Sequence, residues 1–240
     1  MLAACASHEP VEIEPDFASD KADGLATHLA LEEDHSVDVA EPSDLVVRNH
    51  KLYTVSDRHS RIYQIDDDGD VRSSLDVEGT DLEALTVDAD GHFYVADESR
   101  AKVWRLTAHG DRAEAFDVDT TDGNSGIEGP AFDDKGNLLV AKEKNPATII
   151  VLDGDGVEQD RVELDFADDI SALAWNAADD HPYALSAEES KLWRFNRDLE
   201  KITSWRLPIE APEGLAFDGR NVYVVSDPEE RIYRFVLGRP

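Results

Sequence analysis

An acidic or hydroxyl side chain recurs at five regularly spaced positions in this sequence of 240 residues. The positions are Ser43, Glu83, Glu128, Ser171 and Glu213, and the steps between them are 40, 45, 43 and 42 residues. Carboxylate and hydroxyl oxygens without nearby cysteine or histidine favour a hard divalent ion. If the fold brings these positions together, the pattern predicts a cation site. We expect Ca²⁺, because a roomy oxygen site suits it better than the smaller Mg²⁺.

A second set of acidic residues recurs in phase with the first, and each member follows a short apolar run. The set comprises Asp57, Asp97 with Glu98, Glu143, Glu188 and Asp227. A hairpin returns the chain towards its start, so a residue before its first strand lies beside one after its second strand. We therefore expect Glu83, Glu128 and Glu213 to be the main metal ligands. Glu143 is the next candidate, and the other members of the second set are additional residues of the same mouth.

The acidity of the whole chain supplies a competing explanation for these carboxylates. The formal net charge is −31, with 33 Asp and 21 Glu against 8 Lys and 15 Arg. Such a composition fits a protein adapted to concentrated salt, in which screening suppresses self-repulsion. Under this alternative explanation, the acidic residues at strand ends are solvated surface groups. The same charge repels nucleic acid and anionic lipid, so a divalent cation is the expected partner.

The residues between the acidic positions predict the fold that brings them together. Each of five copies contains three runs of four to six apolar, β-branched or aromatic residues, and a weaker fourth run follows in four copies. Four antiparallel strands at this period are typical of a β-propeller blade. We predict an all-β, five-bladed β-propeller of four-stranded antiparallel blades, with one domain over residues 25–240. A strand at residues 27–31 would complete the last blade and close the ring. Six blades are the alternative, but they require about 40 more residues.

The amino terminus carries a candidate lipid attachment site. Residues 2–5 read Leu-Ala-Ala-Cys, similar to the lipobox of bacterial lipoproteins, and Cys5 is the only cysteine. Few apolar residues precede it, whereas a secretion signal needs about 7–15, so either the start is truncated or the match is chance. We expect residues 1–24 to form a polar tether and Cys5 to anchor an extracytoplasmic monomer to a membrane. No run reaches the ~18 apolar residues of a membrane span.

Several short segments resemble the SdiA-regulated family of bacterial β-propellers, which includes the YjiK-like and CarP-like proteins. The segments lie at residues 81–85, 126–129, 139–146, 169–173 and 212–215, and Leu-Val-Ala-Lys-Glu-Lys-Asn-Pro at 139–146 is the most specific. The resemblance covers about residues 25–236. It implies an extracytoplasmic or membrane-attached propeller linked to calcium, without an assigned reaction. The first repeat departs from the pattern, since Asp44 stands where the other repeats have glycine or alanine.

Three functions follow from these observations. The first is a calcium-binding propeller that acts as a sensor or scaffold outside a membrane. The second is a calcium-dependent hydrolase of the lactonase, esterase or phytase type, for which His59 is the histidine to test as a base. A phytase would need a basic cluster, and only Lys142 and Lys144 lie near the expected mouth. The third is a protein-binding platform at the mouth; Trp104 and Trp193 are expected to pack between blades instead.

Overall fold

Almost all of the described chain is strand and turn. The computed structural model describes residues 10–17, 28–80, 82–120 and 126–238, and these contain 22 strands and one short 3₁₀ turn at Glu98–Arg100. In chain order the strands are β1 (Val11–Ile13), β2 (Asp16–Phe17), β3 (Leu29–Ser36), β4 (Pro42–Val47), β5 (Leu52–Ser56), β6 (Arg61–Ile65), β7 (Val71–Asp76), β8 (Leu82–Val87), β9 (Phe93–Asp97), β10 (Lys102–Leu106), β11 (Arg112–Asp117), β12 (Ile127–Phe132), β13 (Leu138–Lys142), β14 (Thr148–Leu152), β15 (Glu158–Glu163), β16 (Ala172–Asn176), β17 (His181–Ser186), β18 (Lys191–Phe195), β19 (Lys201–Arg206), β20 (Pro212–Asp218), β21 (Asn221–Ser226) and β22 (Arg231–Leu237). No helix in this part of the chain is long and apolar enough to span a membrane.

The strands form the five blades predicted from the repeats, so the six-bladed alternative is wrong. Blades 1 to 4 follow the chain as β4–β7, β8–β11, β12–β15 and β16–β19, and blade 5 consists of β20, β21, β22 and β3. Each blade is antiparallel throughout, because turns of a few residues join consecutive strands. In the hairpin between β12 and β13, Asp133 Oδ1 accepts the backbone N–H groups of Lys135 and Asn137 at 2.8 Å each.

The amino-terminal strand closes the ring as expected. β3 pairs antiparallel with β22, with Leu31 opposite Phe235, so the outermost strand of blade 5 comes from the other end of the chain. β3 is longer than predicted and extends to Ser36. Two short strands from the segment expected to be a tether also pair with blades: β1 adds to β3, and β2 adds to β19. Cys5 lies outside the described residues.

The hydrophobic core lies between neighbouring blades. β9 and β13 are buried at all five of their residues, because an inner strand is covered by a blade on each face. One cluster joins Leu139 and Ala141 of blade 3 to Leu173 and Trp193 of blade 4. Burial on both faces explains why these strands read as continuous apolar runs. Trp193 is 1% exposed, so it is a packing residue, as its repeat position indicated.

The first strands of the blades approach each other closely around the axis. The residue after each mouth position is Asp44, Ala84, Gly129, Ala172 or Gly214. A Cβ atom at Gly129 would lie 2.0 Å from the backbone nitrogen of Leu173 in the next blade, and one at Gly214 would lie 2.7 Å from the Cα atom of Asp44. The ring therefore admits only small side chains here, with one exception.

Asp44 is that exception, and its carboxylate connects three blades. It is 1% exposed. Its Oδ1 accepts the N–H of Leu45 at 2.7 Å and lies 3.4 Å from the N–H of Leu215 in blade 5, and its Oδ2 accepts the N–H of Leu85 in blade 2 at 2.9 Å. Burial raises the pKa of Asp44 well above its usual range, and the three N–H groups oppose that rise. The carboxyl thus satisfies backbone donors that face the axis.

Replacing Asp44 with alanine should destabilise the propeller. The change leaves three axial N–H groups without their acceptor, so we expect the free energy of unfolding in urea to fall by about 1–3 kcal/mol. The exposed Asp38, in the connector before β4, provides the control variant Asp38→Ala. Equal urea midpoints for the two variants would contradict the structural role of Asp44.

Candidate functional site

The mouth of the axial channel is formed by the starts of the first strands and the ends of the second strands. In blade 3, Glu128 lies opposite Ala141, and Ile127 opposite Lys142, so the residue after β13 returns beside the start of β12. A cavity of about 160 Å³ lies at this end of the axis. This mouth cavity is lined by Ser43, Glu83, Glu128, Glu143, Asp169, Ser171, Ala187 and Glu213. Its side-chain donors are therefore oxygen atoms only.

The fold brings together the four residues predicted as metal ligands and the two serines of the same repeat position. Glu83, Glu128, Glu213 and Glu143 come from blades 2, 3, 5 and 3, and each is partly buried. Ser171 is held in place because its Oγ donates to the backbone oxygen of Pro212 at 2.8 Å. Topology alone thus assembles a cluster whose members are up to 170 residues apart, from Ser43 to Glu213.

The five additional mouth residues do not line the cavity. Glu98 lies nearby, because a Cβ atom at Gly126 would be 2.1 Å from its Oε1. Asp57 and Asp227 are partly buried after β5 and β21, and Glu188 is exposed on the rim.

Asp97 is instead a buried residue whose carboxylate pairs with two arginines. It is fully buried, and its carboxylate contacts Arg100 Nη1 at 2.8 Å and Arg112 Nη2 at 2.7 Å. Burial acts to raise the pKa of Asp97, but hydrogen bonds from Ser99 and both arginines outweigh it and hold that pKa below its usual range. Its charge is satisfied by these arginines and by Ser99.

Asp169 is a cavity residue that the repeat comparison missed. It is 2% exposed, accepts the hydroxyl of Ser186, and accepts the N–H groups of Ala187 at 2.9 Å and Glu188 at 3.3 Å. Burial raises its pKa, and these hydrogen bonds oppose the rise. Asp169 lies two residues before Ser171, and the same repeat position holds an acidic residue in blades 1 and 2 (Glu41 and Asp81) but Gly126 and Ala211 in blades 3 and 5. An acidic residue in three of the five copies was therefore the available signal, and the comparison did not use it.

Burial and mutual repulsion dominate the electrostatics of the mouth cavity. Burial raises the pKa of Glu128 well above its usual range, and the negative charges of Glu83, Glu98, Glu143 and Glu213 raise it further. Burial, followed by the charge of Asp227, raises the pKa of Glu213 to about 7. The carboxylates therefore take up protons when no cation is present to balance them.

Two lysines lie beside the cavity and differ in their partners. Lys144 Nζ is 2.6 Å from Glu143 Oε1 and 3.6 Å from Glu188 Oε1, so it lies on the rim between blades 3 and 4. Lys142 is 1% exposed, and its Nζ donates to the backbone oxygens of Asn145 at 3.0 Å and Pro146 at 3.4 Å. The charge of Lys144 is therefore directed to the mouth, whereas Lys142 holds the backbone of the following loop.

Among the described residues no histidine lines the cavity, and His59 is elsewhere. His59 is exposed in the turn after β5, where its Nδ1 is 3.3 Å from the hydroxyl of Tyr63. Among the described residues, no three Asp, Glu, His or Cys side chains are arranged so that they could jointly hold an ion. The carboxylates share a cavity but do not converge on one point.

A second cavity, of about 120 Å³, lies further along the same axis. Its lining comes from later residues of the first strands, such as Leu45, Leu85, Leu173 and Leu215, and it shares no lining residue with the mouth cavity. Asp44 lies in the sequence between Ser43, which lines the mouth cavity, and Leu45, which lines the second one. Its carboxylate accepts the N–H groups of Leu45 and Leu85, two residues that line the second cavity.

The raised pKa of Glu213 predicts a pH dependence of stability. Protonated Glu213 favours the folded state, so this contribution is fully present below about pH 4.5 and is lost as the pH rises through about 7. In buffer with a chelator, we raise the pH from 4.5 to 8. Over this range the free energy of unfolding of wild type should fall by about 2 kcal/mol relative to that of Glu213→Gln. Urea unfolding at several pH values measures the difference. The exposed Glu163 gives the control Glu163→Gln, and a difference that is constant with pH would contradict the expectation.

Solved structures with the same architecture come from proteins of diverse function. A glutaminyl cyclase from Myxococcus xanthus is 10% identical, with a TM-score of 0.71 over 88% of this chain and 97% of that chain. A gluconolactonase from Xanthomonas campestris is 12% identical, with a TM-score of 0.62 over 96% of this chain and 98% of that chain. A catalytically inactive virginiamycin B lyase from Staphylococcus aureus, solved with quinupristin, is 15% identical, with a TM-score of 0.55 over 93% of this chain and 80% of that chain. At these identities the likeness shows the fold alone.

The sequence itself matches one protein family. No curated protein matches it. The model of the SdiA-regulated family matches residues 40–236, a range that contains every residue lining the mouth cavity and most of the propeller. The chain therefore belongs to the SdiA-regulated family, and it forms a five-bladed β-propeller.

Proposed function

We propose that the protein binds a divalent cation, with Ca²⁺ preferred, in the mouth cavity and acts as a calcium-responsive sensor or scaffold. The observation that carries the proposal is the environment of Glu128. This carboxyl lies in a cavity lined by three further glutamates and Asp169, and its pKa is raised by burial and by the charges of its neighbours. A divalent cation would offset both effects, because it supplies positive charge where several carboxylates have lost water.

Glu83, Glu128, Glu213 and Glu143 are the residues that would hold the ion. Their donor set contains oxygen only, which suits a hard cation, and the serine hydroxyls of Ser43 and Ser171 add neutral oxygens from blades 1 and 4. Glutamate side chains have three rotatable bonds, and the proposal requires a change of rotamer to bring these carboxylates to a common point. The ion would contribute charge neutralisation and would add a contact among blades 2, 3 and 5 at the mouth.

Membrane attachment through Cys5 is a separate part of the proposal. It is supported by the lipobox-like residues 2–5 alone, and Cys5 lies outside the described residues. Lipidation would place the propeller outside the cytoplasm, where calcium is abundant. Metabolic labelling with a fatty acid analogue, compared between wild type and Cys5→Ala in a bacterial host, tests this part independently of the cation site.

Calcium should stabilise the wild-type protein, and substitution of Glu128 should remove the effect. At a calcium concentration 100 times Kd, binding adds about 2.7 kcal/mol, which is roughly 5–10 °C in Tm for a domain of this size. Glu128→Gln preserves size and polarity but removes one ligand charge, so we expect its Kd to rise at least about tenfold. Calorimetric titration and thermal melting with Ca²⁺ and Mg²⁺ measure both quantities.

The control for this experiment is Glu163→Gln, which removes one exposed carboxylate from β15 of the same blade. It should bind calcium like wild type, which separates the mouth cavity from the general acidity of the chain. An absence of titration heat together with an unchanged Tm in wild type would exclude the cation site.

Hydrolysis is a second candidate function, and the observation in its favour is the pKa of Glu213. A carboxyl with a pKa of about 7 is suited to general-base catalysis near neutral pH. The likeness to a gluconolactonase concerns the fold and does not decide the reaction. Catalysis here would use a glutamate as the base, because no histidine lines the cavity.

A substrate screen distinguishes the two functions. We expect no turnover of lactones, aryl esters or phosphate monoesters by wild type in the presence of calcium if the protein is a sensor or scaffold. Turnover that falls at least about 100-fold in Glu213→Gln, the range typical of a lost general base, would establish hydrolysis instead. The substrates should include five- and six-membered lactones, and Glu163→Gln again serves as the control.

A further inference from the structure

Lys144 places a positive charge on a carboxylate that lines the mouth cavity. Its Nζ is 2.6 Å from Oε1 of Glu143, a residue of blade 3, and 3.6 Å from Oε1 of Glu188, a residue of blade 4. The side chain of Lys144 is 38% exposed, and that of Glu143 is 27% exposed. The ion pair therefore lies at the entrance, where an entering cation meets it.

The backbone on both sides of this lysine is held in place. The N–H of Glu143 donates to the backbone oxygen of Gly126 at 3.0 Å, and its carbonyl oxygen accepts the N–H of Ile170 at 2.8 Å. On the other side, the buried ammonium of Lys142 donates to the carbonyl oxygens of Asn145 and Pro146. Lys144 lies between these two anchored points, and its side chain pairs with the cavity glutamate Glu143.

We propose that Lys144 is a displaceable internal counter-ion of the mouth cavity, and that a divalent cation binds by replacing its ammonium group on Glu143. The inference rests on the proposed cation site and specifies how that site is regulated. A lysine ammonium carries one charge, and that of Lys144 pairs with Glu143 among the four glutamates. A divalent ion carries two charges and joins several carboxylates at once, so it has an advantage over the lysine.

Two consequences follow from the exchange. Lys144 lowers the affinity of the cavity, because the cation must first break an existing ion pair and then binds near a like charge. Binding also changes the rim, since the ammonium would leave Glu143 of blade 3, whereas Glu188 of blade 4 lies 3.6 Å from it. Cation binding in the cavity would therefore change the ion pairs on the surface between blades 3 and 4.

Calcium titration of lysine variants tests the effect on affinity. We expect Lys144→Gln and Lys144→Met to bind Ca²⁺ about three- to tenfold more tightly than wild type at low salt, because a partly exposed ion pair and one repulsive charge are removed. Lys135→Gln is the matched control, since Lys135 is an exposed lysine of the same blade in the turn before β13. Its affinity should equal that of wild type.

Amine labelling of the full-length wild-type protein tests the displacement itself. The Lys144 ammonium donates to Glu143 Oε1 at 2.6 Å, so the ion pair shields the amine from acetylating reagents. Release of Lys144 by calcium should speed its acetylation about threefold or more, with Lys135 as an internal reference in peptide mass spectrometry.

The outcomes separate this inference from the proposed function. Tighter binding by both Lys144 variants together with faster labelling of Lys144 in calcium supports the exchange. If wild type binds calcium but the Lys144 variants bind equally well, or calcium leaves the labelling of Lys144 unchanged, the exchange is wrong and the cation site stands. An absence of calcium binding by wild type and by both variants overturns both proposals.

Discussion

The first strands of the five blades approach each other closely around one axis, and the rest of the structure depends on this constraint. At Gly129 the strand of the next blade leaves no space for a Cβ atom, so the starts of the first strands cannot move apart without opening the ring. Side chains one residue earlier must then share a narrow mouth. Glu83, Glu128 and Glu213 lie together because of this closure, although about 130 residues separate the first from the last.

Burial in the mouth cavity changes the protonation of glutamates compared with glutamates on the surface. A solvated glutamate in so acidic a protein is screened by water and salt, and it carries little information about function. In the mouth cavity, the same side chain has lost water and faces like charges, so its protonation becomes coupled to that of its neighbours. Protons and the ammonium of Lys144 both balance part of this charge, and under the proposed function a divalent cation would compete with them.

Sequence periodicity was sufficient for the fold and for much of the site. Five in-phase copies of alternating apolar runs predicted the blade count, the closing strand and the shared position of Glu128 and Glu143, because strand pairing fixes which residues become neighbours. It was insufficient for the direction that individual side chains take. Asp169 enters the cavity from a connector, and Asp97 turns towards Arg112, since loop direction and side-chain rotamers depend on contacts that a repeat comparison cannot reveal.

The carboxyl of Asp44 also bears on how the two ends of the chain are joined. It accepts backbone N–H groups from blades 1 and 2 and lies 3.4 Å from one of blade 5. Blade 5 is the blade built from both termini, because β3 pairs there with β22. One buried acid therefore ties the first blade to the seam at which the ring is completed, and the integrity of that seam depends on a side chain far from either terminus.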